Sequence, residues 1–148
     1  MFRGVSSHIL DDKGRIVIPA RFRDTIRANG DEAVMITCMD QSLFAYPLLE
    51  WGKIEKNVLS AVGQNNVMRR FRRVFVGGAC ECGFDKQSRV LIPPSLREYA
   101  QLEKNIVMVG LGTYFEIWAL DRWETENKLL EQDLTEPEVR QAISKLGL

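Results

Sequence analysis

The chain has 148 residues, with 20 Lys plus Arg against 20 Asp plus Glu, a formal charge of zero, and 45% apolar side chains. Zero net charge excludes a nucleic-acid coat driven by a bulk excess of cations, and the apolar fraction excludes a disordered chain. No apolar run of about 18 residues is present to cross a membrane, and Met1-Phe2-Arg3-Gly4 opens without an apolar leader, so a cytoplasmic protein is expected.

In chain order, a turn at Asp11 to Gly14 leads into the β-branched strand Ile16-Val17-Ile18. Pro19 is expected to open a short helix, with Phe22 and Ile26 four apart and facing inward. Strands are expected over about 33–39 and 43–47, followed by a helix that carries Trp51. A helix over about 66–73 holds Arg69, Arg70, Arg72 and Arg73. A second turn, Asp85 to Ser88, leads into Val90-Leu91-Ile92, then a Pro93 helix with Leu96 and Ala100 inward. Strands over 106–109 and 113–119 follow, with Gly110 and Gly112 marking their turn. Asp121-Arg122-Trp123-Glu124 reads as an acidic capping box opening the next helix. Thr135-Glu136-Pro137-Glu138 starts the last one, with Val139, Ile143 and Leu146 on one stripe.

The second half repeats the first. Asp11-Asp12-Lys13-Gly14-Arg15-Ile16-Val17-Ile18-Pro19 aligns with Asp85-Lys86-Gln87-Ser88-Arg89-Val90-Leu91-Ile92-Pro93 at an offset of 74, which also places Arg23 on Arg97 and Gly4 on Gly78. Leu43 to Trp51 aligns with Phe115 to Trp123 at an offset of 72, so the two tryptophans are equivalent. Two copies of this size are a duplicated domain rather than a solenoid. The expected class is α+β: two small β units edged by short helices. Units this small bury too little alone, so an intrachain pseudo-dimer is expected. The division expected is 1–62 and 77–125 for the units, 63–76 for a linking helix and 126–148 for a helical tail.

Residue chemistry narrows the function. His8 is the single histidine, and no nucleophile elbow, phosphate-cradling loop or His-Glu-x-x-His pattern occurs, so an enzyme is not expected. Cys38, Cys80 and Cys82 are an odd set. Cys80 and Cys82 share a strand face, but a closed zinc site needs four ligands, so core cysteines are expected, with no metal and no cofactor.

The basic residues remain. Residues 1–75 hold 12 basic and 8 acidic side chains, and residues 76–148 hold 8 and 12, so the halves carry +4 and −4. A neutral chain divided in this way can still present one basic face. An Asp-x-x-x-Arg element occurs twice, Asp11 with Arg15 and Asp85 with Arg89, each before an apolar strand and each with a lysine, Lys13 or Lys86. One reading is a probe for the DNA groove, because a guanidinium can bind guanine O6 and N7 with two parallel hydrogen bonds while the aspartate holds its rotamer. The other reading is an ion pair that merely closes a turn. The cluster Arg69, Arg70, Arg72 and Arg73 could neutralise phosphates, but a solvated helix or one that meets the acids of a neighbouring subunit is favoured, so it is a candidate oligomer interface.

The opening Met1-Phe2-Arg3-Gly4, the doubled Asp-x-x-x-Arg, Tyr46-Pro47 with Trp51, and the arginine-rich middle together resemble the bacterial MraZ family, over residues 1–125. The resemblance implies AbrB-like units of the double-split β-barrel type and a cytoplasmic, nucleoid-associated regulator, usually a repressor, of the division and cell-wall gene cluster that includes its own gene. It implies a ring-shaped homo-oligomer on repeated sites in double-stranded promoter DNA. Arg15 and Arg89 would then read the groove, Lys13, Lys86 and Arg3 would contact phosphates, and Asp11, Asp85 and Gly14 would orient the loops. Ser88 stands where Gly14 stands in the first copy, so a different turn and a weaker Arg89 are expected. An antitoxin-like module that neutralises a partner protein is the alternative.

Overall fold

The computed structural model describes residues 1–61, 63 and 65–148; Val62, at the expected end of the first unit, and Gln64, in the expected linking segment, lie outside the described residues. The elements run β1 (Val5–Ile9), β2 (Arg15–Val17), α1 (Ala20–Arg27), β3 (Ala33–Met39), β4 (Ser42–Pro47), α2 (Leu48–Ser60) and α3 (Asn66–Phe75). The second half repeats the series as β5 (Cys80–Gly83), β6 (Arg89–Leu91), α4 (Pro94–Tyr99), β7 (Asn105–Gly110), β8 (Phe115–Ala119), α5 (Leu120–Asp133) and α6 (Pro137–Ser144). The fold is α+β, with two tandem copies.

The copies are interleaved. Six antiparallel strands form one sheet in the order β1-β7-β8-β4-β3-β5, and β2 pairs with β6 in a separate two-stranded ribbon. Each half therefore hands its first strand to the other half's sheet. The register keeps the internal symmetry: Ile9 faces Asn105 as Gly83 faces Ala33, and the Phe44–Glu116 pair sits at the centre of the β4–β8 seam.

Three layers result. On one face of the sheet, Ile16 and Val90 from the ribbon and Ile18 and Ile92 just after its strands join Phe22 and Ile26 of α1 and Leu96 of α4 over Ile36, Ile106, Met108 and Ile117. Phe2, Phe22 and Phe115 meet there with ring centroids 4.9–5.2 Å apart. The opposite face carries helices. Trp51 of α2 and Phe71 and Phe75 of α3 cover Met35 and Tyr46, while Trp123 of α5 covers Val107 and Trp118. Thr37, fully buried, donates its hydroxyl to the Phe75 carbonyl (2.5 Å), which seats α3 on β3. Its counterpart α6 buries no residue.

Several helix starts differ from the sequence reading. Pro19 and Pro93 are N-caps with extended backbone, not first helical residues, and their carbonyls accept the N–H groups of Phe22 and Arg23 or Leu96 and Arg97. For Pro93 the reason is Pro94, whose ring excludes the helical conformation from the residue before it. α5 begins at Leu120 with Ala119 as N-cap, so Asp121 lies in the first turn and makes no side-chain cap; its Oδ1 accepts the N–H of Arg122. Strand β8 runs directly into this helix, and buried Ala119 sets its start. α6 begins at Pro137, because the Thr135 hydroxyl is used on the Gln132 carbonyl at the end of α5. α3 continues to Phe75, and Asn65, accepting the N–H of Met68, caps it. Gly110 is the last residue of β7 rather than a turn residue, and a Cβ there would lie against the backbone of Arg3.

Candidate nucleic-acid interface

The ribbon presents one outward face. Alternation along β2 and β6 sends Ile16 and Val90 inward, where they are 1% and 0% exposed, and leaves Arg15, Val17, Arg89 and Leu91 outward. Arg15 faces Leu91 and Val17 faces Arg89, so the arginines sit diagonally with two apolar side chains between them. Val17 and Leu91, about half exposed, are surface residues that no sequence motif marks. The signal was present, since an apolar residue at the outward position of a β-branched strand has no core to fill.

Each arginine follows a tight turn organised by its aspartate. Asp11 Oδ1 accepts the backbone N–H groups of Lys13 (2.9 Å) and Arg15 (2.8 Å), and Oδ2 accepts Arg15 Nε (2.7 Å). Asp85 repeats this with Gln87 (2.8 Å), Arg89 N (2.9 Å) and Arg89 Nε (2.8 Å). Both turns need a left-handed residue at the fourth position, filled by Gly14 at φ +86° and by Ser88 at φ +62°. The expected difference between the turns is thus absent from the backbone. Ser88 adopts the glycine conformation, a strain of about 1 kcal/mol for an L-residue, and the full set of hydrogen bonds holds it there. The turns are locked across the halves as well: Ile92 N–H donates to the Gly14 carbonyl (2.8 Å) and Ile18 N–H to the Ser88 carbonyl (3.2 Å).

The tertiary structure merges the two motifs. Arg89 Nη1 lies 3.9 Å from Asp11 Oδ2, so one turn's aspartate borders the other turn's arginine. Both guanidiniums are tethered through Nε. Among the described residues the two Nη groups of Arg15 carry no partner, which leaves the end of its fork free for a bidentate contact.

The N–H of Arg15, together with the Arg15 side chain and the N–H of Lys13, holds the Asp11 carboxyl down at about 2, against an ordinary 3.8; contacts from Arg89 and Gln87 lower Asp85 in the same way. A carboxyl depressed in the folded state stabilises that state fully above the unfolded value, and the contribution is lost as pH falls through the folded one. The first turn is therefore expected to persist to about pH 3.8 and to loosen between there and about 2. Carbon-detected NMR titration of the Asp11 carboxyl checks this. A midpoint at or above the ordinary value would show that the carboxylate does not hold the turn.

Other expected residues lie elsewhere. Lys13 and Lys86 sit in the turns, at the two ends of the ribbon. Arg3 packs its backbone against Gly110, whereas the Asp11 turn begins beside Lys104, where the Leu10 N–H donates to the Lys104 carbonyl. The six residues of β7, about 20 Å of strand, separate the two places. Arg69, Arg70, Arg72 and Arg73 lie on α3, across the sheet from the ribbon and in the same layer as the first turns of acidic α5. His8 is half-buried beside Ser6, and burial with nearby Arg21 lowers its pKa, which keeps it neutral at pH 7. Burial raises the Cys38 thiol and pushes Cys82 to about 12, so both stay protonated in the core. No group of three His, Cys, Asp or Glu side chains is arranged to hold a metal among the described residues. No helix among them is long and apolar enough to cross a membrane.

The family described as MraZ protein, and as antitoxin-like, matches residues 1–74 and again residues 75–143, the two copies found above. The chain belongs to the MraZ family. Its relatives include the transcriptional regulator MraZ of Desulforapulum autotrophicum, 55% identical over 148 residues with all of both chains covered. Those of Desulfosudis oleivorans and Halothermothrix orenii are 51% and 42% identical, again over the whole of both chains.

Proposed function

We propose that this chain is a sequence-specific DNA-binding transcriptional regulator that inserts the outward face of the β2–β6 ribbon into the DNA groove. The observation that carries the reading is the paired arginine geometry. Arg15 and Arg89 share one face, each is held through Nε by its own aspartate, and Arg15 keeps free Nη groups to meet a base edge. A two-stranded ribbon fits the major groove, Arg binds guanine O6 and N7, and apolar Val17 and Leu91 suit a thymine methyl between them. Lys13 and Lys86 at the ribbon ends suit the flanking phosphates. The names of the relatives, transcriptional regulators, support the same reading.

Repression of the division and cell-wall cluster, including the chain's own gene, follows from the family resemblance. For assembly, the helical layer carries a complementary pair of surfaces. α3 has four arginines and no acid, with Val67, Met68 and Val74 exposed. α5 has five acids against two bases, with Leu129 and Leu130 exposed. Contact of one copy's α5 with the next copy's α3 joins unlike surfaces, and head-to-tail contacts of that kind form a ring where the rotation between copies closes. A ring of this kind points one ribbon per subunit away from the seams, so repeated sites gain by avidity. In this picture residues 1–62 and 77–125 form the DNA-binding units, 63–76 the linking helix and 126–148 the arm. A partner-wrapping tail, the mark of an antitoxin-like module, is not what α5 and α6 form.

Footprinting on the DNA upstream of the chain's own gene, at two salt concentrations, tests the proposal. Discrete protected repeats with a modest salt slope are expected, because few cations per subunit contact phosphate. Uniform protection that vanishes with salt would overturn it.

A further inference from the structure

The two turns share every aspartate hydrogen bond, yet the arginines behind them are placed differently. Arg97 of α4, from the second half, lays its guanidinium against the first turn. A Cβ built on Gly14 would lie 2.5 Å from Arg97 Cζ, 2.6 Å from Nη1 and 2.7 Å from Nε, so only glycine leaves room for that side chain. Arg97 Nε is buried without a hydrogen-bond partner among the described residues. Asp12, Glu98 and Glu103 line the same cavity of about 820 Å³, but among the described residues none is within ion-pair distance of it. The counterpart of Arg97 in the first half is Arg23, which donates Nη1 to its own Ile18 carbonyl at 2.8 Å. Ile18 in turn donates its N–H to the carbonyl of Ser88 in the second turn, and Ser88 carries a Cβ where Gly14 has none.

Burial of Nε fixes the guanidinium against the turn, and its Nη groups, without a partner among the described residues, are the ones an anion can meet. Arg97 sits where the first turn ends the ribbon, and on a ribbon lying in a groove that end faces the sugar-phosphate wall. We propose that Arg97 is a DNA-phosphate contact of the first turn, supplied by the opposite half of the chain, and that Gly14 is required in order to admit it. The second turn reads bases with the same backbone but lacks this grip, because Ser88 excludes Arg23. Each subunit thus has one firmly held and one weakly held end of its ribbon. This inference rests on the DNA-binding reading above.

Fluorescence-anisotropy titrations of the full chain test it, using the upstream duplex and an unrelated duplex of equal length, across roughly 50 to 200 mM salt. Arg97→Ala is expected to weaken binding to both duplexes alike and to lower the slope of log K against log salt by about one per engaged subunit. Arg97→Lys keeps the slope. Gly14→Ser, which the backbone tolerates as it does at Ser88, should lower the slope as Arg97→Ala does, and should add nothing in the Arg97→Ala protein. Circular dichroism confirms that each variant is folded, and Gly14→Ser carries the test if Arg97→Ala is not. An unchanged slope in Arg97→Ala while the parent chain binds overturns the role of Arg97. A slope drop from Gly14→Ser that persists without Arg97 overturns it too. Failure of the parent chain to bind either duplex instead overturns the DNA-binding reading itself.

Discussion

Arg15→Ala is expected to abolish discrimination between the upstream repeats and unrelated DNA while leaving the fold and assembly intact. A bidentate arginine–guanine contact discriminates by about 1–3 kcal/mol, roughly 5- to 150-fold for each engaged subunit. Avidity multiplies that loss across an oligomer on repeated sites. The turn survives because Asp11 still accepts the N–H groups of residues 13 and 15 at 2.9 and 2.8 Å, and Arg89 Nη1 remains 3.9 Å from its Oδ2. Arg15→Lys is the informative companion. It keeps the charge and loses the planar fork, so residual affinity should persist without selectivity. The quantity to measure is the ratio of affinities for the two duplexes at one salt concentration. A ratio unchanged in Arg15→Ala would remove Arg15 from the interface and leave the Asp–Arg pair as a turn closure.

Phe115→Ala is expected to cost about 3–5 kcal/mol, a large part of the roughly 5–15 kcal/mol that holds an ordinary domain folded. Phe115 is fully buried on β8, in contact with Phe2 from the N-terminal segment and Phe22 from α1. It pairs with Ala45 across the seam between the halves and with Gly110 on its own side. The cavity would therefore open where both halves meet. Because β1 and β5 are exchanged, neither half retains a complete sheet when the other unfolds, so a single transition is expected in urea, with a lower midpoint and an unchanged slope. Leu49→Ala, at a site 58% exposed, is the control and should shift stability by less than about 0.5 kcal/mol. Two separate transitions in Phe115→Ala, one at the parent midpoint, would refute the shared core.

Much of this molecule is legible from residue order. The doubled Asp-x-x-x-Arg located both turns, and the strands expected over 33–39, 43–47, 106–109 and 113–119 agree with β3, β4, β7 and β8 to within two residues. The pairs Phe22 with Ile26 and Leu96 with Ala100 marked the buried sides of α1 and α4. These features are local, since a turn is closed by its own aspartate and a helix face is set by spacing. The N-terminus of α5 was not legible because the packing of Ala119, not Asp121, decides where that helix starts. Arg97 was hidden for a similar reason. In sequence it is one arginine on a short helix, and only the turn of the other half gives it a role.

The charge pattern shows the division most clearly. Sequence alone determined that the net charge is zero, that the halves carry +4 and −4, and that each half holds the same turn and strand. It allowed a neutral chain to present one basic face and placed an Asp-x-x-x-Arg turn in each half. The tertiary structure decided how the turns combine: β2 and β6 form one ribbon, so the candidate surface draws one arginine and one turn from each half. The acidic α5 is sent across the sheet, into the layer of the arginine-rich α3. The reason is physical. Strands pair through backbone groups that are alike at nearly every residue, so β1 and β5 do not encode their partners locally. The exchange is selected only when the inner faces of both copies are buried in one core.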